Sequence, residues 1–315
     1  MSTTQKQINI QTIVQDYGST FVTELESELT KLKNKFNPIN QILWDSISYS
    51  VLNAGKRLRP ILSLLTVEAV QNSAEQTPLS NNPGLATGLA IELVHCGSLI
   101  HDDLPCMDDD DLRRGKPSNH KAFDEATALL AGDFLLAYPA QLLAETLVRY
   151  PAISPAQKTQ ALHLLQQAIN DMILGQVMDM NLDTQNAGAA ELKEMEKLKT
   201  GALLRASIEI AALLSNASEV QMQALNTYAT NLGLAFQITD DILDATASTE
   251  DLGKTAGKDS AQAKLTFVRE YGLAKSQQIA EDLIQEAKTA IGTSAAGLYT
   301  DKLNLVADYV ISRKH

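Results

Sequence analysis

The sequence predicts an all-α protein, and three features predict it. Apolar residues recur at spacings of three and four over long stretches. Aromatic residues make up only 5% of the 315 and β-branched runs are short, so nothing alternates as strands do. Two apolar periodic stretches run directly into dense groups of aspartates.

Along the chain, Leu85, Leu89, Leu93 and Cys96 predict an amphipathic helix that ends at Asp102. Leu129, Leu130, Phe134, Leu135 and Tyr138 mark a second helical face. Ile208, Ile210, Ala211 and Leu214 mark a third, and Leu232, Leu234, Ala235, Ile238, Ile242 and Leu243 a fourth that ends in the second acidic group. Breaks are expected where Pro, Gly and Asn gather: Asn37-Pro38, Asn81 to Gly84, Pro151 to Pro155, Asn181 to Gly188 and Thr249 to Gly257. None is long enough for a flexible interdomain linker, and no repeat or low-complexity tract is present.

Composition narrows the function classes. Hydrophobic residues at 44% and charged residues at 20% are ordinary globular values. A net charge of −12 argues against nucleic acid and anionic membrane surfaces as partners. No signal peptide precedes the first helix, and the longest apolar stretch, Ala126 to Leu143, is interrupted by Asp133 and Pro139, so no membrane span is expected. Cys96 and Cys106 lack zinc or redox spacing and are expected to be reduced thiols, which with the missing leader implies a cytoplasmic protein.

The first acidic group reads His101-Asp102-Asp103-Leu104-Pro105-Cys106-Met107-Asp108-Asp109-Asp110-Asp111, followed by Leu112-Arg113-Arg114-Gly115. On a straight helix Asp102 and Asp108 would sit about 240° apart. They converge only if the chain leaves the helix near Pro105, as proline dictates. In the second group, Asp240-Asp241-Ile242-Leu243-Asp244, residues 240 and 244 share one face and repel unless a cation lies between them. Carboxylates without His or Cys suit a hard ion such as Mg2+. A solvated charge run is the plain alternative, but two such groups, each ending an apolar helix, point to metal. Gly55-Lys56-Arg57-Leu58-Arg59-Pro60 and Arg113-Arg114 are candidate anion sites, because arginine forks bind phosphate bidentately. Mg2+ ligands beside phosphate-binding arginines imply a polyphosphate substrate, and no Walker or kinase glycine-rich loop suggests a nucleotide.

From Gly55-Lys-Arg-Leu-Arg-Pro to Ala307-Asp-Tyr-Val-Ile-Ser-Arg, and above all in the stretch His101 to His120, the chain resembles the trans-polyprenyl diphosphate synthases of the farnesyl and geranylgeranyl type. The resemblance implies a single bundle domain over residues 1–315 with both aspartate groups facing a central cavity. It implies metal ligation by Asp102, Asp103 and Asp108 and by Asp240, Asp241 and Asp244, holding three Mg2+ ions. It places Lys56, Arg59, His95 and Arg114 at isopentenyl diphosphate, with Arg57 beside them, and Arg113, Lys254 and Lys264 at the allylic diphosphate. Lys199, Thr200 and Gln237 would lie beside the allylic substrate and its developing cation, and Gly175-Gln176 and Asp179 on the cavity wall. Ala263 to Phe267 and Ser118 depart slightly from the family pattern without removing a charge. His95 and Gly97 have plainer explanations, as a satisfied core histidine and a close-packing glycine.

The implied activity is condensation of isopentenyl diphosphate with allylic diphosphates by a homodimer. The implied product length depends on the residue five before Asp102, where an aromatic would stop growth at fifteen carbons. Gly97 stands there, with Ser98 beside it, so farnesyl and/or geranylgeranyl diphosphate is expected with a lean to the twenty-carbon product, and Phe134 and Tyr138 are candidate fillers of the space. A class I terpene cyclase would need a different second metal motif, which the residues from Asp240 to Ser248 do not match. A non-catalytic subunit of a heteromeric synthase would typically lack one aspartate group, and here both stand. Asp183 to Glu194 has the outline of a calcium loop, but Gln185 and Ala187 occupy positions that need carboxylates.

Overall fold

The computed structural model describes residues 9–36, 40–53, 55–73, 76–181, 187–246, 265–293 and 297–313. Among them are thirteen α-helices and one two-residue hairpin. The helices are α1 (Ile10–Phe36), α2 (Gln41–Val51), α3 (Leu58–Val70), α4 (Gly84–Asp102), α5 (Asn119–Ala122), α6 (Glu125–Leu147) and α7 (Pro155–Asn181). They continue as α8 (Ala189–Lys199), α9 (Gly201–Leu214), α10 (Glu219–Thr246), α11 (Phe267–Tyr271), α12 (Leu273–Ile291) and α13 (Asp301–Ser312). Lys254 and Lys264, and the expected breaks at Asn37-Pro38 and Thr249 to Gly257, lie outside the described residues.

The helix at the centre is α4, and its sequence explains why. Leu85, Leu89, Leu93, Cys96 and Ile100 pack into one apolar cluster with residues of α1, α2, α3, α6, α10 and α13. Ala86, Ala90, Ile91 and Val94, on another face of α4, join a second cluster with α6, α7 and α9. A helix apolar all round is buried all round. Likewise α9 sends Leu204, Ile208 and Ala212 into the first cluster and Leu203, Ala206 and Ile210 into the second. Each fully buried Leu or Ile contributes roughly 1.5–3 kcal/mol. A third, smaller cluster unites Leu192 and Met195 of α8 with Ile238 of α10, Phe267 and Ala280. Both helices that carry the acidic groups are thereby clamped at their apolar lengths.

By length and composition α4 and α6 could each cross a membrane, but 78% of the α4 stretch is buried inside the fold, as befits a core helix. Pro139, which interrupts the apolar run of the sequence, sits inside α6, and the helix continues through it to Leu147. Asp124 starts that helix by accepting the Thr127 N–H at 2.8 Å.

Gly97 is where close approach decides. A Cβ there would lie 2.9 Å from Leu135 Cβ and 3.2 Å from the Gly132 carbonyl oxygen, so glycine lets α4 and α6 touch. The expectation that Gly97 opens a product channel is therefore corrected: the residue faces α6, and its missing side chain is filled by helix packing. Phe134 and Tyr138 stack on each other, and Phe134 meets Trp44 edge-on at 5.3 Å, within the core.

The hairpin pairs Leu112 with Pro117 and Arg113 with Lys116. It turns through Arg114 and Gly115, both at positive φ, as a two-residue hairpin loop requires. Nothing in the strand pattern of the sequence announces a ladder this short.

Candidate active site

α4 ends at Asp102, and the chain then folds back, as the proline-driven turn requires. The Asp108 N–H donates to the Asp102 carbonyl at 2.9 Å, and Asp109 N–H to the Leu104 carbonyl at 3.2 Å. The first acidic group is thus a compact loop at the mouth of a cavity of about 670 Å3. Asp102 lines this cavity, and so does Asp240 at the end of α10. The two acidic groups meet although 138 residues separate them. Burial, and then the charge of Asp108, push the Asp102 carboxyl up to about 6, against the lowering effect of Lys199.

Two of the six expected metal ligands are buried and held by protein donors. Asp103 is 2% exposed and accepts from Arg113 Nε at 2.9 Å and also from Nη2. Asp241 is 6% exposed and accepts from Gln237 Nε2 at 2.9 Å and from the Phe267 N–H at 2.7 Å. A buried carboxylate must be paired, and protein donors already pair these two. These bonds fix the two carboxylates within the site. Asp244 stands one turn after Asp240 on α10, and Asp108 lies in the folded-back loop that starts at Asp102. In the same loop Asp109, Asp111 and His120 each bring a donor atom within 4.8 Å of the others, with Asp111 already bound by Lys121 at 2.9 Å.

A basic half faces the acidic half. Arg59, His95, Arg113 and Arg114 all line the cavity. The hairpin separates the two neighbouring arginines: Arg113 turns to Asp103 and Asp110, whereas Arg114 reaches the Asn53 carbonyl at 3.4 Å. Gly55 makes room for this, since a Cβ there would lie 2.9 Å from the Arg114 guanidinium. Burial, and next the charge of Arg59, hold His95 well below the usual histidine range, so its imidazole is neutral. Arg59 Nε is buried with no hydrogen-bond partner. A buried guanidinium nitrogen aimed at nothing in the protein is a costly arrangement that an anionic ligand relieves.

Arg57 departs from expectation. It is 5% exposed, and its Nη1 donates to Glu92 Oε1 while Nη2 donates to the Val51 and Asn53 carbonyls at 2.7 and 2.8 Å. It is a buried brace beneath the basic half, at the left-handed residue that precedes α3. Lys56 is exposed and lies over the Tyr309 ring at 5.5 Å.

The third wall carries Lys199, Thr200 and Gln237, all on the cavity. Gly175 explains how α7 reaches them, because a Cβ there would lie 2.2 Å from the Lys199 amide nitrogen. One turn further on, Asp179 accepts the Lys199 ammonium. Thr200 Oγ1 donates to Gln237 Oε1 at 2.9 Å. Gln176 of α7 lines it as expected, and an apolar part is formed by Leu136 on α6, Met172, Ile173, Val177 and Met180 on α7, and Leu203 on α9. Ser98 and Leu99 line it too, whereas Gly97, Phe134 and Tyr138 do not.

A family model described as polyprenyl synthetase matches residues 40–297. The chain belongs to the polyprenyl synthetase family.

Among curated members it is 40% identical over 284 residues to farnesyl diphosphate synthase of Micrococcus luteus, covering 90% of this chain and 93% of the relative. It is 39% identical to geranylgeranyl pyrophosphate synthase 11 of Arabidopsis thaliana, covering 95% and 82%. Among solved polyprenyl synthetase structures, the geranyltransferase of Legionella pneumophila superposes with a TM-score of 0.77 at 32% identity, covering 96% of each chain. A geranyltransferase from Helicobacter pylori, complexed with magnesium and isoprenyl diphosphate, gives 0.77 at 31% identity, covering 94% and 97%.

Several residues of this polyprenyl synthetase site escape a reading of the sequence. His101 Nε2 meets the Leu129 carbonyl at 3.0 Å, and only a glycine at 132 admits the ring. Glu196 is buried under Thr200, and burial followed by the charge of Asp241 raises its carboxyl to about 8. Phe236 and Met107 also line the cavity. No spacing in the sequence points to any of these, because each depends on a partner from another helix.

Proposed function

We propose that this chain joins isopentenyl diphosphate to dimethylallyl, geranyl and farnesyl diphosphates, and releases geranylgeranyl diphosphate. It is a Mg2+-dependent short-chain prenyltransferase, and the proposal concerns which residues do what and where the product stops. The single observation that carries it is one cavity with an acidic rim, a basic recess holding an unpartnered buried Arg59 Nε, and an apolar wall. Those three surfaces match a metal–diphosphate, a second diphosphate and a hydrocarbon tail.

Arg59, Arg114 and the neutral His95 bind isopentenyl diphosphate, with Lys56 at the edge. Arg113, fixed by Asp103, and Lys199, fixed by Asp179, take the allylic diphosphate, joined by Lys254 and Lys264. Asp102, Asp108, Asp240 and Asp244 hold Mg2+, three ions in all by the family resemblance; this all-oxygen donor set suits that ion, and a nearby cation would favour the ionised form of Asp102. Bound there, Mg2+ would neutralise pyrophosphate as it leaves. Gln237 has its amide oriented by Thr200 and Asp241, so its carbonyl dipole serves the developing allylic cation. Leu136, Met172, Ile173 and Leu203 exclude water from that cation. The proton lost at the end of each cycle passes to the departing pyrophosphate, so no protein nucleophile is needed.

The twenty-carbon stop is supported by Ser98, a small residue on the cavity wall with no aromatic beside it on α4. We also propose one domain over residues 1–315 and a cytoplasmic enzyme, as two unpaired cysteines suit a reducing compartment. A homodimer is supported by Leu129 and Leu130 of α6 and Leu174 of α7, which are 46%, 59% and 56% exposed. Incubation with Mg2+, dimethylallyl diphosphate and labelled isopentenyl diphosphate, followed by chain-length analysis, tests the proposal. Geranylgeranyl diphosphate is expected, and a product that stops at farnesyl diphosphate overturns the stated length.

A further inference from the structure

The last helix carries a cation into the acidic half of the site. Arg313 follows the end of α13, and its side chain is 8% exposed. Its Nη2 donates to Asp240 Oδ1 at 2.7 Å and to the Phe236 carbonyl at 2.9 Å. The guanidinium also lies 3.8 Å over the Phe236 ring.

An isolated arginine–aspartate pair at a surface holds loosely. This one does not, because a carbonyl and an aromatic face fix the guanidinium independently of the carboxylate. Asp240 is 42% exposed and lines the cavity, where a metal ion can meet its carboxylate. With Oδ1 bound, a metal ion meets a carboxylate already set in one orientation. The first acidic group has the same device, since Arg113 holds Asp103. Carboxylates that bind metal are commonly held by such outer hydrogen bonds.

We propose that Arg313 is a positioning residue for metal binding, which fixes Asp240 through Oδ1 so that the second acidic group engages its metal. The proposal rests on Asp240 being a metal ligand. Arg313 also carries positive charge, which repels an incoming cation. Orientation outweighs that repulsion because Asp102, Asp108 and Asp244 leave the site acidic in any case. The competing possibility, a placeholder charge that metal must expel, predicts the opposite sign.

The experiment titrates Mn2+ by electron paramagnetic resonance in the presence of inorganic pyrophosphate, so turnover is not the readout. Wild type is compared with Arg313→Gln, Arg313→Lys and Asp240→Asn. Leu303, Val306 and Val310 anchor α13 without Arg313, so both arginine variants are expected to fold, with an unchanged metal-free melting temperature. Arg313→Gln is expected to weaken Mn2+ binding roughly tenfold or more. Arg313→Lys keeps the charge but not the fork, and is expected to recover only part of that loss. Mn2+ binding as tight as wild type, or tighter, in Arg313→Gln overturns the positioning role. Unchanged binding in Asp240→Asn overturns the ligand assignment beneath it, which separates the two failures.

Discussion

Burial decides which charged side chains meet ligands and which brace the fold. Arg57 and Glu92 are paired with side chains 3% and 2% exposed. Removing one partner of such a pair leaves a buried charge uncompensated, so Arg57→Ala is expected to cost about 3–5 kcal/mol in denaturant unfolding. The KM for isopentenyl diphosphate is expected to change little in any folded fraction, and a large KM rise with intact stability would return Arg57 to the substrate site. Glu196 offers a pH test. Burial, and then the charge of Asp241, push its folded carboxyl up to about 8, whereas the unfolded group keeps the ordinary value of 4.5. The folded state therefore binds the extra proton across that window, and its stability falls as pH rises from about 5 to about 8. Melting of the metal-free protein is expected to show this slope and Glu196→Gln to flatten it; identical slopes would remove Glu196 as the cause. Both acidic groups were legible in the sequence because like charges at such density demand a cation. That Asp103 and Asp241 turn inward was not, since Arg113 and the Phe267 amide, which claim them, reach them only through the fold.

Helix contacts, rather than composition, set the shape of the cavity. The periodic stretches ending at Asp102 and Asp244 were legible as helices, because apolar residues at spacings of three and four can bury only in that form. Which side of α4 faces the cavity was not legible, because α4 is apolar on nearly every face. Position 97 packs on Leu135 of α6 and position 98 opens to the cavity. Gly97→Tyr is therefore expected to destabilise the protein by roughly 1–3 kcal/mol or more through overpacking. Ser98→Phe is expected to shorten the product towards fifteen carbons at near-native stability, read by chromatography of the dephosphorylated alcohols. A stable Gly97→Tyr enzyme making shorter product would mean that α4 is rotated from the orientation described. The hairpin at 112–117 was missed because two-residue strands leave no alternation to read.

At the scale of the whole molecule, two acidic groups 138 residues apart reach one cavity because α4 and α10 are clamped by shared apolar clusters. The exposed leucines on α6 and α7 predict a two-fold dimer, the commonest symmetry. Sedimentation at micromolar protein is expected to show about twice 34.2 kDa, and a 34.2 kDa species alone would refute it. The bundle and its cavity were legible from the chain's resemblance to its family, whereas the exposed faces depend on packing that no local pattern encodes. The central claim is that both acidic groups act on one metal–diphosphate site. Its most direct measurement is turnover of dimethylallyl and isopentenyl diphosphates at saturating Mg2+ by Asp102→Ala and Asp240→Ala, each checked for native helical content. Both are expected to lose at least roughly 10²-fold in kcat, since each leaves leaving-group charge uncompensated; a wild-type rate in either variant would contradict the two-group site.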